Sequence, residues 1–279
     1  MSVPSFPDRS LLERIEAYLD AVPRSSATAE DAGKFTLFRS AAPWPYYARP
    51  RLGLADRITA DDVARVRATQ RALKLPETIE WVFETTPSLA EAALAAGMRV
   101  ERSPLVVLER ATFVAPIAAD AVKVRFVEAD DPDFLGVHAV ATVGFGAPGT
   151  QVGREGAEQR DAVALATAAG TADFMRERAR RELSRTAAAF DPDGPLAVGT
   201  HQPVNGVTEV VGIATLPAAR RRGLGAVVTA ALVEDAWTRG VRTVFLSAGS
   251  ADVARVYARI GFRQIGSAGA AEPPRATAG

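Results

Sequence analysis

Three arginines, Arg220, Arg221 and Arg222, stand directly against Gly223 and Gly225 in the stretch TLPAARRRGLGAVVTAAL. The Ala/Val/Leu-rich segment that follows reads as a helix. A helix N-terminus carries unpaired N–H groups and the positive end of a macrodipole. Glycine lacks a Cβ, so a bulky anion can reach the backbone there. Strand, short loop and helix start together form an anion cradle whose natural guest is a diphosphate, with guanidinium groups adding charge around it. The stretch is not a Walker loop, since it has no Gly-Lys-Ser/Thr. It is not a dinucleotide fingerprint either, whose GxGxxG follows the first strand of a parallel unit. A basic surface run beside a glycine-rich helix start is the plainer reading of the same residues.

Few other side chains offer chemistry. Cysteine is absent, which excludes disulfides, thiolate metal ligands and a Cys nucleophile. With only His138 and His201, a His-rich metal site is excluded too. Formal net charge is zero, so no global field points to nucleic acid or anionic membrane as a partner. Only three of the 33 basic residues are lysine (Lys34, Lys74, Lys123), a bias that carries no function. The N-terminus has charges where a signal peptide needs an apolar core, and no apolar run approaches the roughly 18 residues of a membrane span. A cytoplasmic protein is expected. Oligomeric state is not legible.

The elements that position these residues fall into two halves. In the first, helices are expected over 10–22, capped by Ser10, over 59–73, capped by Thr59, and at SLAEAALAAG, closed by Gly97. Strands are expected at GKFTLFRS, TIEWVFET and RVERSPLVVLER, the last with a proline break, and the aromatic stretch PWPYYARPRLG is extended or irregular. After a linker near 110–120, VKVRFVEA alternates like a strand, a helix follows DDPD, and residues 157–180 are helix-prone around Gly170. LSRTAAAF, PLAVGTHQPV and TEVVGIATLP are separated by DPDG and NG, which is the grammar of an antiparallel meander. A helix over about 223–239, a strand TVFLSA, a helix DVARVYARI ended by Gly261 and a last short strand FRQIG complete a βαβ unit. Gly212, in mid-strand, marks a bulge or a close backbone approach.

From VVGIATLP to ARIGF the sequence closely resembles the GNAT superfamily of N-acetyltransferases. That family's central motif is a strand, Pro, two residues, then Gln/Arg-x-x-Gly-x-Gly/Ala opening a helix; Pro217, Arg220, Gly223 and Gly225 match it. Its later strand, helix bearing Tyr, and Gly-Phe match Tyr257, Gly261 and Phe262. The resemblance covers about 120–266, most clearly 208–262. It implies a GNAT fold of the α/β (α+β) class: a mixed central sheet with an antiparallel meander followed by a βαβ unit, flanked by helices.

The resemblance further implies acetyl-CoA as co-substrate, no metal, and a small-molecule or peptide amine as acceptor. Ile213, Ala214 and Thr215 then pair their backbone with the pantetheine arm. The amides of Arg221, Arg222, Gly223, Leu224, Gly225 and Ala226 hold the diphosphate, beside Arg220. Ser250 stands where many members have a CoA-contacting Asn. Tyr257 holds the general-acid position, and its phenol, with a usual pKa of about 10, is comparable in basicity to a departing thiolate. Glu209, eleven residues before Arg220, has the spacing of a general base. Plainer roles stand beside these: Tyr257 as a packed helix residue, Glu209 as a strand-edge carboxylate or an Arg partner. His201 and His138 are rival bases.

Residues 1–112 have the order of a GNAT domain's closing portion without its RxxGxG. They are expected to be a degenerate copy, followed by a catalytic domain over 120–279. Trp44, Tyr46 and Tyr47 either line an acceptor pocket or fill an interface. The family's final long strand is missing from the small, Pro-rich tail, which is expected to be disordered past about Pro273; a strand such as SPLVVLER could stand in for it. A non-catalytic acyl-CoA-binding or regulatory protein is the alternative to an acetyltransferase.

Overall fold

A computed structural model describes residues 9–117, 122–147 and 149–274. Residues 1–8 and the tail after Pro274, on which two of the expectations above fall, lie outside the described residues. The fold is mixed α/β, in two compact units. One is Met1–Val106 with Ser247–Ala251 and Gln264–Gly279; the other is Val107–Leu246 with Asp252–Arg263.

The first stretch of chain supplies α1 (Arg9–Ala21), β1 (Ala27–Ala32), β2 (Phe35–Ser40), β3 (Ala48–Pro50), α2 (Ala60–Ala72), β4 (Ile79–Val82), α3 (Ser88–Ala95) and β5 (Arg99–Leu108). The second supplies β6 (Lys123–Val127), α4 (Phe134–Gly146), α5 (Ala157–Ala166), α6 (Ala169–Arg180), β7 (Arg185–Asp191), β8 (Gly194–Val204) and β9 (Val207–Thr215). It continues with α7 (Leu224–Thr238), β10 (Thr243–Ser247), α8 (Ala251–Ala258) and β11 (Arg263–Glu272).

In the first unit the strands run in the order β1-β2-β3-β4-β11-β5. Phe35, Leu37, Val63, Val66, Ile79, Trp81, Leu89 and Met98 form its core. Helix α2 starts where expected: Thr59 accepts from the Asp62 amide, and Asp62 answers with a bond from the Thr59 amide, a complete capping box. Ser10 lies inside α1 rather than at its cap. Strand β1 has no apolar alternation and was not foreseen. Pro104 does not break β5; its carbonyl accepts from the Ala248 amide at 2.9 Å.

The largest departure is β11. The residues after FRQIG continue as strand to Glu272 and pair antiparallel with β4, from Ala268 opposite Val82 to Ala271 opposite Ile79. Their small size has a steric cause. A Cβ on Gly269 would come within 2.5 Å of the Trp81 ring, and one on Gly266 within 2.6 Å of Glu84 Oε2. Ala271 is fully buried in the same core. The C-terminal strand therefore completes the unit begun by the N-terminal residues, and the compact units do not follow a linear division at 112–120.

In the second unit β6, β7, β8 and β9 form the expected antiparallel meander, and β10 runs parallel to β9. The Asn205–Gly206 turn has positive φ at both positions, +52° and +76°, as a two-residue hairpin turn of the favoured hand requires. Successive strand residues face opposite ways. Ile213 reaches toward Gly199 and toward Val228 and Leu232 of α7, while Ala214 meets Gly144 of α4. The two helices therefore cover opposite faces of β9.

Candidate functional site

The site is built on the end of β9. The parallel pairing of β9 with β10 begins at Val207 opposite Thr243 and reaches only Glu209 opposite Phe245. Beyond that point residues 210–215 continue without β10, so the strands part and leave backbone free along one edge. Glu209 is the last paired residue, at the apex of the split. On the other edge, toward β8, the register shifts between Val198 and Thr200. The extra β9 residue is absorbed at Gly212, whose φ is +65°. This is the bulge foreseen from the mid-strand glycine; the sharper twist of a bulge carries the strand away from its neighbour.

After Thr215 a single 3-10 turn, Pro217–Ala219, leads to the three arginines. Arg221 takes φ +70° and Gly223 φ +76°. The first is a non-glycine residue held in the left-handed region, a conformation that costs of order 1 kcal/mol and persists only where its surroundings require it. Alternation of this kind points successive N–H groups into one concavity suited to anions. Gly223 caps α7 without any side-chain bond, and the first turn holds no acidic residue. The Ala226 and Val227 amides both donate to Gly223 O, at 3.1 and 3.2 Å. Among the described residues nothing accepts from the amides of Arg221, Gly223, Leu224 and Gly225. The expected cradle thus loses Ala226, whose N–H is engaged, and keeps its central amides. Arg221 is exposed and Arg222 half-buried.

Ile213 and Ala214 offer backbone only, since their side chains pack against α7 and α4; the Thr215 hydroxyl lies near Gly225. Leu224 is likewise a core side chain with an available amide. Arg220 departs from its expected place: it turns its guanidinium onto the carbonyls of Gly144, Ala147 and Gln151 rather than toward the cradle.

Tyr257, on α8 in the same unit, is buried with its ring edge-on to Phe262 at 5.7 Å. Burial pushes its phenol up to about 12. It is therefore fully protonated at neutral pH, as a proton donor must be. Glu209 is half-buried. Ser250 is exposed and belongs to the segment Ser247–Ala251, which is grouped with the first unit.

The two histidines stand in different surroundings. His201 is fully buried; its Nε2 lies 2.9 Å from Asp235 Oδ2 and its Nδ1 3.3 Å from Thr208 Oγ1. Burial lowers its pKa. With both ring nitrogens engaged inside the core, it is a structural residue that ties β8 to α7, and its rival claim as a base fails. His138 stacks on Phe134 at 4.6 Å, and burial, followed by the Arg176 charge, lowers it to about 4. It therefore stays neutral at pH 7.

A cleft of about 530 Å³ lies between the α4–α5 connection and the turn before α7, walled by Val143, Val152, Glu155, Gln159, Pro217 and Arg220. Sequence reasoning missed it. Its only local signal is Gly144, a glycine inside a helix: a Cβ there would come within 2.9 Å of Ala214 Cβ, so the glycine brings α4 against β9.

Comparison with known proteins identifies this architecture. Residues 199–269 match the family model described as FR47-like protein. A GCN5-related N-acetyltransferase from Kribbella flavida superposes with a TM-score of 0.69 at 20% identity, over 96% of this chain and 97% of that one. A GNAT-family protein from Novosphingobium aromaticivorans gives 0.53 at 18%, over 95% and 97%. A tandem GNAT protein from the clavulanic acid biosynthesis pathway gives 0.52 at 14%, over 87% and 79%. No curated protein sequence matches the chain. The chain has the GNAT fold; at these identities the likeness is one of fold.

Proposed function

We propose, from an N-acetyltransferase fold that keeps an open anion cradle at α7, that this chain transfers an acetyl group from acetyl-CoA to an amine. One observation carries the reading. The helix that follows the split and bulged strand has no anion of its own and presents unengaged amides. A diphosphate matches that helix end in charge and in the hydrogen-bond donors offered, and the edge of residues 210–215 suits an extended, amide-bearing arm. The chain's own residues then act as follows. Backbone amides of the parted strand hold the thioester oxygen as charge develops on it. Glu209, at the apex, takes a proton from the acceptor's ammonium, and the neutral amine so formed attacks the thioester carbon, forming the N–C bond as the C–S bond breaks. Tyr257 gives its proton to the departing sulfur.

The raised phenol bears on the last step. Burial makes the phenol a weaker acid than it is in water. The same fact favours a second reading, a binding protein without turnover, because a weak acid serves a leaving thiolate poorly. Tyr257→Phe tests both. The expected outcome is a fall of more than about tenfold in acetyl transfer across an amine panel, with CoA affinity by calorimetry unchanged. Equal turnover in the variant and the parent would remove Tyr257 from the chemistry; no turnover in the parent on any amine would leave the binding reading.

The N-terminal unit is proposed to be a degenerate GNAT copy, in line with its strand and helix order and with a fold likeness over 79% of a tandem GNAT protein. Among the described residues no helix is long and apolar enough to cross a membrane, and the cysteine-free sequence suits a cytoplasmic enzyme.

A further inference from the structure

Arg220 occupies the first position of the anion-binding motif, yet its charge is spent elsewhere. Nη2 donates to Gly144 O at 2.8 Å and to Ala147 O at 2.6 Å, and Nη1 donates to Gln151 O at 3.1 Å. Gly144 and Ala147 lie at the C-terminal end of α4, where carbonyls lack helical partners and the macrodipole is negative. Arg220 is therefore a cap supplied in trans to α4.

Further ties run alongside it. The Gly153 amide donates to Pro217 O at 3.1 Å and the Ala218 amide to Glu155 O at 3.0 Å. A Cβ on Gly153 would lie 2.8 Å from Pro217 Cβ, so these segments approach closely only because position 153 is glycine. Residues 144–147 and 149–155, which form one wall of the cleft, are thus fastened to residues 214–220. The next residue, Arg221, opens the run of amides that face the cradle.

We propose that Arg220 is a positioning residue: it holds this wall of the cleft against the diphosphate-facing loop, so that acyl-CoA binding and the shape of the cleft are coupled. The inference rests on the acetyltransferase reading. A ligand that fixes the loop also fixes the wall, and by linkage whatever fills the cleft strengthens CoA binding by the same factor.

The test compares full-length Arg220→Met and Arg220→Lys with the parent, using CoA as the probe. Amide hydrogen exchange is followed over 147–156, and CoA affinity by calorimetry. In the parent, CoA slows exchange over 147–156. In Arg220→Met, CoA affinity stays within about threefold, while exchange there speeds by about tenfold or more and no longer responds to CoA. Arg220→Lys, which keeps a cation for at least one carbonyl, restores part of the protection. The proposal is overturned if Arg220→Met loses tenfold or more in CoA affinity with exchange over 147–156 unchanged, which would make Arg220 a phosphate ligand. It is equally overturned if exchange speeds uniformly across the unit, the mark of general destabilisation. If the parent fails to bind CoA, the acetyltransferase reading falls by itself. The exchange comparison without CoA then still decides the tie: acceleration confined to 147–156 supports it and none overturns it.

Discussion

Helices α2 and α7 begin in opposite ways, and the contrast separates the two units. At α2 the anion position is filled from within. Asp62 accepts from the Thr59 amide at 2.9 Å and from its hydroxyl at 2.8 Å, pairs with Lys34 at 3.0 Å, and also meets Arg65. Those bonds outweigh its burial and hold it at about 2. At α7 a left-handed glycine stands at the cap and no carboxylate follows. Both ends have the same intrinsic appetite for negative charge. One satisfies it with its own side chain; the other has no side-chain cap and no acidic residue in its first turn. A carboxylate at the third helical position is thus enough to fill a helix N-terminus from within.

The sharpest way to break this comparison is to copy Asp62 into the second unit. Ala226 is the third residue of α7, as Asp62 is of α2. Ala226→Asp should lower CoA affinity by about tenfold or more in calorimetry, through repulsion of the diphosphate and occupation of its donors. An affinity within twofold of the parent would show that the open helix end is not where the anion sits.

The converse change is smaller. Asp62→Asn should cost about 2 kcal/mol in urea unfolding while CoA affinity is untouched. Asp62 is lowered from 3.8 to about 2 in the fold, so its contribution is present above pH 4 and lost as pH falls toward 2. The variant should therefore lack that part of the acid transition.

The smallest effect distinguishes the units by sign. Glu80 of the first unit is raised to about 7 by burial, with the Arg49 charge opposing and the Glu272 charge adding to the rise. Its stabilising share is complete below about pH 4.5 and is lost as pH rises through 7. His138 of the second unit is lowered to about 4. Its share is present above pH 6.5 and is lost as pH falls through 4. Between pH 7 and 5 the first unit should gain protection from exchange and the second should lose it, each by about 1 kcal/mol or more. Parallel changes in both units would refute the assignment.

What the sequence disclosed follows from how local each signal is. The capping box of Thr59 and Asp62, the Asn205–Gly206 turn and the bulge at Gly212 each act within a few residues, and all were legible. Glu209 and the Arg-Gly loop were found through motif spacing, which conveys position but not orientation. The turning of Arg220 toward α4 therefore stayed hidden, because its acceptors lie about 70 residues away, at Gly144, Ala147 and Gln151. His201 looked like a base until its contacts with Asp235 and Thr208 were visible. Strand β11 was the hardest to foresee. Gly266, Gly269 and their alanine neighbours carry no strand preference of their own. Their size answers to Trp81 and Glu84, far off in sequence.

That last strand also governs the order of assembly during synthesis. The first unit has most of its residues by Val106, but the pairing partner of β4 does not exist until Ala271 is made. At ribosomal rates of about 5–20 residues per second, the interval is on the order of 10–30 s. Throughout it, the edge of β4 and the face of Trp81 lack the strand that covers them in the finished unit. The half that emerges earliest is thus the half that finishes last, and chaperone dependence should fall on it.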